Sequence, residues 1–432
     1  MNGYLSPEVE VLKLARLVGA DAEELAYFER LEGQAIRDLR DQVTVAMFDA
    51  DRQMLQRVAA ATKLIPAKLA AVIGERAFGA LLCARITGLL DPGRAVDIAK
   101  HLPVTFLADL SVHLDPRRAS RVIGEMPPDV VSAITAELAA SEEYITMGRF
   151  VGHLSKAALL AALDAVDDES LLRTAYVIEA KKNISALVAL LPDERLEDVI
   201  ATASSADLWI EALDVLAHVT ERQRGTLGDL AAAQDDEVLD SMVRAALRDG
   251  LWSEVLPVVR AMSPESRKRF ATLKSIQARR VLATIIDAAA EDSLWAELLV
   301  LLPLLPTVAR RQVAALSTSF DREVFEQIFV SAYEEELWPA LIGFAAELDK
   351  GPRREMAKLI DQSDDEVLES LLTDVHDNGR ETDLVAVLRE LSAAGQRRLG
   401  KRIATASAEL VEALTEAADE ADLETLSKAL TK

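Results

Sequence analysis

The chain of 432 residues is poor in cysteine, glycine, proline and aromatic residues. It has one cysteine, 18 glycines, 14 prolines and 4% aromatic residues. The single cysteine, Cys83, excludes an internal disulfide and is typical of a reducing compartment; in its apolar run we expect a small buried core residue. Few glycines, prolines and aromatics argue against a β-sandwich or barrel, whereas an apolar fraction made mostly of Ala, Leu and Val favours packed helices.

The sequence also lacks a long uninterrupted hydrophobic run. Its N-terminus has no basic stretch followed by an apolar one, which argues against a secretory signal. The most apolar window begins at Leu294, contains Glu297, and is interrupted by Pro303 and Pro306 before it reaches bilayer-spanning length. We therefore expect a cytoplasmic protein that does not insert into a membrane.

Motifs that carry enzyme chemistry are missing from the sequence as well. It contains no P-loop, dinucleotide-type glycine fingerprint, nucleophile elbow or HExxH pattern. The five histidines show no metal-ligand spacing, and one cysteine makes a zinc site improbable. We predict that the protein is not an enzyme and has no cofactor, apart from weak magnesium binding considered below.

Acidic residues are in large excess. There are 72 Asp and Glu against 48 Lys and Arg, a formal net charge of −24. The negative electrostatic field of such a chain repels phosphate backbones, so nucleic acid is disfavoured as a partner. Cations or basic proteins are favoured instead.

All four tryptophans follow a leucine and lie 43 residues apart, at Trp209, Trp252, Trp295 and Trp338. The apolar pattern recurs with them at helical spacing, as in the series Met242, Ile285, Ile328, Leu371 and Leu414. One further position of the 43-residue period is occupied by four residues that favour a helix N-cap and by one proline: Thr220, Ser263, Pro306, Asp349 and Ser392. Each period therefore predicts three short helices.

Periods of 40 to 47 residues are typical of HEAT and armadillo solenoids. We predict an all-α fold, a right-handed α-solenoid or superhelix of this type, with five three-helix repeats over residues 208–432. The last repeat, from Arg380, loses both Leu and Trp, as expected of a terminal cap. Each tryptophan is expected to be buried against the neighbouring repeat; an exposed ladder for ligand stacking is the alternative.

The N-terminal half carries a shorter repeat. DPGRAVDIAKHLP from Asp91 is followed 24 residues later by DPRRASRVIGEMP from Asp115, and each Asp-Pro is expected to open a helix. This region resembles the N-terminal intracellular domain of MgtE-type magnesium transporters, over about residues 85–200. The resemblance implies a superhelical fold and a regulatory ancestry. The paired nucleotide-binding-like domains and the membrane pore of that family have no counterpart in this sequence.

These patterns predict a helical leader over residues 1–65, MgtE-like short repeats over 66–165, a transition repeat over 166–207, and the 43-residue repeats after it. In the leader, the charge-rich segment that begins at Ala26 is nearly free of helix breakers. It predicts an extended helix that docks on the same chain or on a partner.

Three sets of residues are candidates for function. Two acidic triplets are weak candidates for a divalent cation, although carboxylates also cap helix N-termini: Asp167, Asp168, Glu169, Asp235, Asp236 and Glu237. Basic residues share two adjacent phases of the period, which predicts either a positive row for an acidic partner or pairing with neighbouring carboxylates: Arg267, Lys268, Arg310, Arg311, Arg353, Arg354 and Arg397. A segment that interrupts both repeats is the third set, either a contact surface or a junction helix: Tyr144, Arg149, Phe150 and His153.

Two functions follow from these candidates. The first is a non-enzymatic cytoplasmic scaffold or adaptor that binds another protein through its extended surface. The second is a regulator that responds to a divalent cation, suggested by the MgtE resemblance and the acidic triplets. Binding of an apolar small molecule in a concave surface is a further alternative.

Overall fold

A computed structural model describes residues 6–49 and 52–431, which contain α-helices, short 3-10 helices and one π-helical turn but no strand. The chain divides into two compact units, Met1–Pro192 (unit 1) and Asp193–Lys432 (unit 2). This boundary lies inside the segment 166–207 that the sequence assigns to a transition. No helix in the described ranges is long and apolar enough to cross a membrane.

Unit 1 contains α-helices that are 4 to 17 residues long. Its α-helices are α1 (Pro7–Val18), α2 (Ala22–Leu25), α3 (Gly33–Asp49), α4 (Arg52–Ala61), α5 (Ala67–Ile73), α6 (Gly79–Thr87), α7 (Pro92–Ala99), α8 (Val104–His113), α9 (Ser120–Gly124), α10 (Pro128–Ala140), α11 (Tyr144–Phe150), α12 (Lys156–Asp164), α13 (Asp168–Val177) and α14 (Ile184–Val188). The π-helical turn is Gly74–Phe78, and 3-10 helices lie at Ala26–Arg30, Thr62–Leu64, Val151–His153 and Lys181–Asn183.

The leader segment is less regular than its sequence predicts. It begins as the 3-10 helix Ala26–Arg30, and the α-helix starts only at Gly33. Helix α3 then packs on α1, where Ile36 is fully buried against Val11 and Leu14. The leader thus docks on its own chain.

The two Asp-Pro sequences of unit 1 behave differently. Asp91 caps α7, because its side chain accepts a hydrogen bond from the Arg94 amide, and Pro92 occupies the first turn. The predicted helix start at Asp115 is wrong, since the following residues form a turn and α9 begins at Ser120. Asp115 is buried and its carboxylate accepts from the Arg117 amide, so it stabilises the turn instead of a helix.

Cys83 on α6 is half-buried, whereas the sequence predicts full burial. It packs against the buried Ala80 and Ala84 and lies 3.4 Å from the Gly74 carbonyl. Burial raises the pKa of its thiol to about 11, so the thiol is protonated at neutral pH and is a weak nucleophile.

Unit 2 consists of five groups of three helices and a final pair. We call each group a triplet and number its helices first, second and third. The triplets are α15 (Asp193–Ser205), α16 (Trp209–Ala217) and α17 (Glu221–Ala233); α18 (Asp236–Asp249), α19 (Trp252–Ala261) and α20 (Pro264–Thr272); α21 (Arg279–Glu291), α22 (Trp295–Leu301) and α23 (Thr307–Leu316); α24 (Arg322–Glu334), α25 (Trp338–Glu347) and α26 (Lys350–Gln362); α27 (Asp365–Asp377), α28 (Glu381–Leu388) and α29 (Ala393–Ile403). The pair is α30 (Ala408–Glu420) and α31 (Glu424–Leu430), and 3-10 helices extend α22 (Leu302–Leu304) and α23 (Ser317–Ser319).

The predicted N-caps of the third helices are confirmed at Thr220, Ser263 and Ser392, whereas Asp349 occupies the cap position without a side-chain hydrogen bond. Thr220 forms a capping box with Gln223, in which each side chain bonds to the other residue's backbone. The side chains of Ser263 and Ser392 accept from the amides three residues later, and Pro306 and Asp349 occupy the same cap position. These caps satisfy backbone amides that have no partner within the helix.

A left-handed residue ends the first helix of each group in unit 2. Six positions at 43-residue intervals have φ between 54° and 72°: Asp207, Gly250, Ser293, Glu336, Gly379 and Asp422. In all six turns the amide of the next residue donates to the carbonyl five residues earlier, at 2.8 to 3.1 Å. The bond satisfies a helix-end carbonyl, and glycine adopts this conformation with the least strain.

Each tryptophan begins a second helix and contacts the following triplet. The side chains are buried, with exposed fractions of 4, 1, 2 and 0% for Trp209, Trp252, Trp295 and Trp338. Each indole Nε1 donates, at 2.9 to 3.1 Å, to a side chain 32 residues later, on the first helix of the next triplet: Ser241, Thr284, Gln327 and Ser370. Predicted burial is confirmed, and the exposed ladder is wrong.

The donor and its acceptor disappear together at the C-terminal end of unit 2. Glu381 occupies the next tryptophan position and contacts His376 at 2.7 Å, and Ala413 occupies the next acceptor position. Arg380 replaces the leucine and pairs with Asp383 at 2.9 Å. Because the tryptophan and its acceptor are lost together, no indole N–H is buried at this position without a hydrogen-bond acceptor.

We expect Gly250→Ala to destabilise unit 2 by about 1 kcal/mol, because an alanine Cβ is disfavoured at positive φ. Nothing lies within 4 Å of the added Cβ, so the effect reports on the backbone alone. Urea unfolding followed by tryptophan fluorescence measures it, since all four tryptophans belong to unit 2. Gly351→Ala, near the start of helix α26 with equally open space and no positive φ, should cost less stability than Gly250→Ala. Equal effects of the two changes would contradict this explanation.

A double-mutant cycle of Trp252→Phe and Thr284→Val tests the bond between triplets. We expect a coupling energy of about 1 kcal/mol, since both changes remove the same hydrogen bond. Far-UV circular dichroism during urea unfolding supplies the four free energies. The same cycle with Thr226→Val, an exposed position on α17, should give no coupling.

Candidate functional site

The arginines of the first of the two basic phases bind within the fold. Arg267, Arg310 and Arg353 each donate to the carbonyl five residues earlier, at 2.9, 3.2 and 2.7 Å, where the second helix of the triplet has ended. Gln396 makes the same bond at 3.2 Å in the fifth triplet. These side chains therefore satisfy backbone carbonyls and join the second and third helices.

The residues of the second basic phase are exposed to solvent. Lys268, Arg311, Arg354 and Arg397 are exposed on the four third helices α20, α23, α26 and α29. Within residues 193–431 none of the four has an ion pair or a side-chain hydrogen bond. We call these four residues the basic row, and they are available for a partner.

Charge is segregated between helix positions of unit 2. The third helices α20, α23, α26 and α29 contain thirteen Lys and Arg against three Asp and Glu, a net charge of +10. The first helices α18, α21, α24, α27 and α30 contain five Lys and Arg against nineteen Asp and Glu, a net charge of −14. A strongly acidic chain thus concentrates positive charge on one helix position.

The weak metal candidates open two helices, α13 and α18: Asp167, Asp168, Glu169, Asp235, Asp236 and Glu237. Asp167 caps α13 through the Ser170 amide at 2.7 Å, and Asp236 pairs with Arg269 at 3.0 Å. No group of three His, Cys, Asp or Glu suited to a metal ion occurs in the part of the chain that the structure describes. Magnesium binding stays a prediction from the MgtE resemblance.

The segment that interrupts both repeats forms α11 and the turn after it. Tyr144 packs against a core that contains Leu138, and Phe150 packs against a different core. Arg149 and His153 line a cavity of about 350 Å³ in unit 1. The four candidates are therefore divided between packing and a cavity wall.

The cavity wall is rich in cations. Six Lys and Arg side chains line it: Lys13, Arg16, Arg40, Arg85, Arg117 and Arg149. Asp115 and Glu179 are the carboxylates of the lining, and His113 and His153 complete its titratable groups. These residues come from α1, α3, α6, α8, α11, the 3-10 helix Val151–His153 and the turns that follow α8 and α13.

A buried ion-pair network underlies the cavity. Lys13 lies 3.0 Å from Glu10, and Arg40 bridges Glu10 at 3.2 Å and Glu179 at 3.0 Å. The Glu10, Lys13 and Arg40 side chains are 1 to 6% exposed. Buried charges need such pairing, because an ion without a partner in a low-dielectric interior costs several kcal/mol.

Arg149 is less well neutralised than Arg40. It donates to the Leu114 carbonyl at 3.2 Å, and Glu179 is 4.0 Å away. Burial lowers the pKa of Arg149 and also that of Lys13, against the opposing carboxylates. Burial also acts to raise the pKa of Glu179, but the surrounding cations outweigh it and hold that pKa below its ordinary value.

Sequence reasoning missed this network because its members lie far apart in the chain. Glu10 and Lys13 have the i, i+3 spacing of a solvated helical pair, and Glu179 follows α13 without a motif. The available signal was the position of Glu10 between Val9 and Val11 on the buried face of α1.

We expect Glu179→Gln to destabilise unit 1 by about 3–5 kcal/mol at neutral pH, because Arg40 loses a buried counter-ion. The carboxylate has a lowered pKa in the folded state, with Arg40, Arg149, Lys13 and Arg37 as neighbouring cations. Its stabilisation is therefore present above the ordinary Glu pKa and is lost as the pH falls through the folded value. The wild-type protein should lose stability on acidification more steeply than the variant.

Labelling of Cys83 by dithiodipyridine at increasing urea concentration follows unit 1 alone, since this is the only cysteine. Glu125→Gln, an exposed change in the same unit, is the control and should leave the acid dependence intact. Parallel pH profiles of wild type and Glu179→Gln would contradict the assignment.

No protein-family model matches the chain, and no curated protein is significantly similar to it. Function must therefore be inferred from the contacts, charges and burial of the described residues.

Proposed function

We propose that unit 2 is a right-handed α-solenoid of the HEAT/armadillo type. Two recurring features support this proposal: the six left-handed helix ends and the four indole hydrogen bonds, both at 43-residue intervals. Each second helix from α16 to α25 also contacts the first and second helices of the next triplet. A triplet that buries its tryptophan against the next triplet is stable only when the triplets are stacked.

We propose that this solenoid is a non-enzymatic scaffold that binds an acidic segment of another protein. The observation that carries the proposal is the basic row, Lys268, Arg311, Arg354 and Arg397, exposed and without ion pairs on four successive third helices. Cations held at equal phase repel one another, and a bound polyanion relieves that repulsion.

The spacing of the row suits an extended peptide. Among the helices of the row, α26 contacts α29 and also the 3-10 helix Ser317–Ser319 that extends α23, and packed helices lie about 8–10 Å apart. An extended chain rises about 3.3 Å per residue, so about three peptide residues separate adjacent cations. Acidic side chains at every third position would meet the row in register.

A short acidic segment suits unit 2 better than a nucleic acid. The first helices carry a net charge of −14 close in sequence to the row, and the whole chain carries −24. A long polyanion that extends beyond the row would meet this negative field, whereas a peptide confined to the row would not.

The test uses a fluorescent acidic peptide of about twelve residues, with Glu at every third position. We expect wild-type protein to bind it and Arg311→Glu/Arg354→Glu/Arg397→Glu to lose at least about tenfold in affinity, because three attractions become repulsions. Fluorescence anisotropy measures the affinity, and raising the salt concentration should weaken binding.

A second triple variant controls for net charge. Lys274→Glu/Arg279→Glu/Arg280→Glu changes three exposed cations of unit 2 outside the third helices and should bind like the wild type. Equal loss in both variants would show a general charge effect and contradict the row as a site. Tighter binding of a thymidine oligonucleotide of equal charge would contradict the choice of partner.

A further inference from the structure

The cation-lined cavity of unit 1 is separate in chemistry from the basic row of unit 2. Its lining carries six Lys and Arg against the two carboxylates Asp115 and Glu179. The cavity wall therefore carries an excess of positive charge, although the chain as a whole has a net charge of −24.

The carboxylates that neutralise these cations lie mostly behind the lining. Arg16 pairs with Glu143, and Arg117 pairs with Asp41 through two hydrogen bonds of 2.8 and 3.0 Å. Neither Glu143 nor Asp41 belongs to the cavity wall, and the same holds for Glu10 behind Lys13 and Arg40. Outer carboxylates of this kind orient cationic side chains toward an anion.

Apolar side chains complete the wall. Leu17, Leu81, Val112 and Ile145 line the cavity beside the guanidinium groups. A volume of about 350 Å³ falls in the range of small-molecule sites, which combine apolar walls with a few converging polar groups. A bare inorganic ion would leave the apolar part of this space unused.

We propose that the cavity binds a small organic anion, with a carboxylate or phosphate group against Arg149 and Lys13 and an apolar body against Leu81 and Val112. The wall itself presents six Lys and Arg against two carboxylates, a local positive charge that attracts an anion.

Arg149 is held by fewer carboxylates than Arg40 and is the side chain against which we place the anionic group. Arg40 is held by two carboxylates, but Arg149 has a carbonyl and one carboxylate at 4.0 Å, and one-fifth of its side chain remains exposed. Burial lowers the pKa of Arg149, and a bound anion would oppose that effect by stabilising the charged form. A bound carboxylate or phosphate would supply a charge-assisted hydrogen bond at this position.

Isothermal titration calorimetry of the full chain with phenyl phosphate and with benzoate tests the proposal. Inorganic phosphate and benzyl alcohol, at matched ionic strength, supply the anion and the apolar body separately. We expect at least one of the two aromatic anions to bind one site per chain, at least about tenfold more tightly than either partial probe. Absence of saturable binding by both aromatic anions, or equal binding of either partial probe, would overturn the proposal.

Two variants locate the site, each with a matched control. Arg149→Met should lower the affinity at least about tenfold by removing the charge, whereas the exposed Arg121→Met should not. Leu81→Trp adds bulk at a half-exposed position of the wall without touching an ion pair, and Leu160→Trp adds it at an exposed position away from the cavity. Loss of binding in Leu81→Trp alone supports the cavity even where Arg149→Met fails to fold; unchanged binding in Leu81→Trp would overturn it.

Discussion

The hydrogen bond from each indole N–H to the next triplet is the interaction on which unit 2 depends. A buried tryptophan removes on the order of 150–250 Å² of surface from water, but its N–H needs an acceptor in the same interior. Ser241, Thr284, Gln327 and Ser370 supply that acceptor from one helix position. Because the acceptor side chains differ and their position does not, the constraint falls on the geometry between each second helix and the next first helix.

Both candidate sites place positive charge within an acidic chain, by different means. In unit 2 the cations are exposed and lie 43 residues apart in sequence. Each remains hydrated and by itself interacts only weakly with an anion. In unit 1 the cations converge on an enclosed space, where lower polarity strengthens each contact with an anion. The first arrangement suits an extended partner held by many weak contacts, and the second suits one small molecule held by a few strong ones.

The sequence predicted what is periodic and local and missed what is not. Burial of the tryptophans and the caps at Thr220 and Ser263 follow from spacing and side-chain chemistry, and both are confirmed. The same local reasoning failed at Asp115, whose buried carboxylate pairs with the partly exposed Arg117 and Arg118 instead of capping a helix. It also could not separate the two basic phases, because adjacent residues on a helix differ in direction and only the fold shows which one meets a carbonyl. The cavity joins residues more than 160 positions apart, from Lys13 to Glu179, so no local pattern could reveal it.

The matched loss of donor and acceptor at Glu381 and Ala413 bears on how such a chain changes length. Excision or duplication of one whole period, cut at equal phase, would leave every remaining indole opposite a suitable acceptor. An insertion within a helix that carries a donor or an acceptor would shift one partner relative to the other and could not keep this register. A gain or loss of 43 residues is therefore a change of length that keeps each remaining indole donor opposite an acceptor.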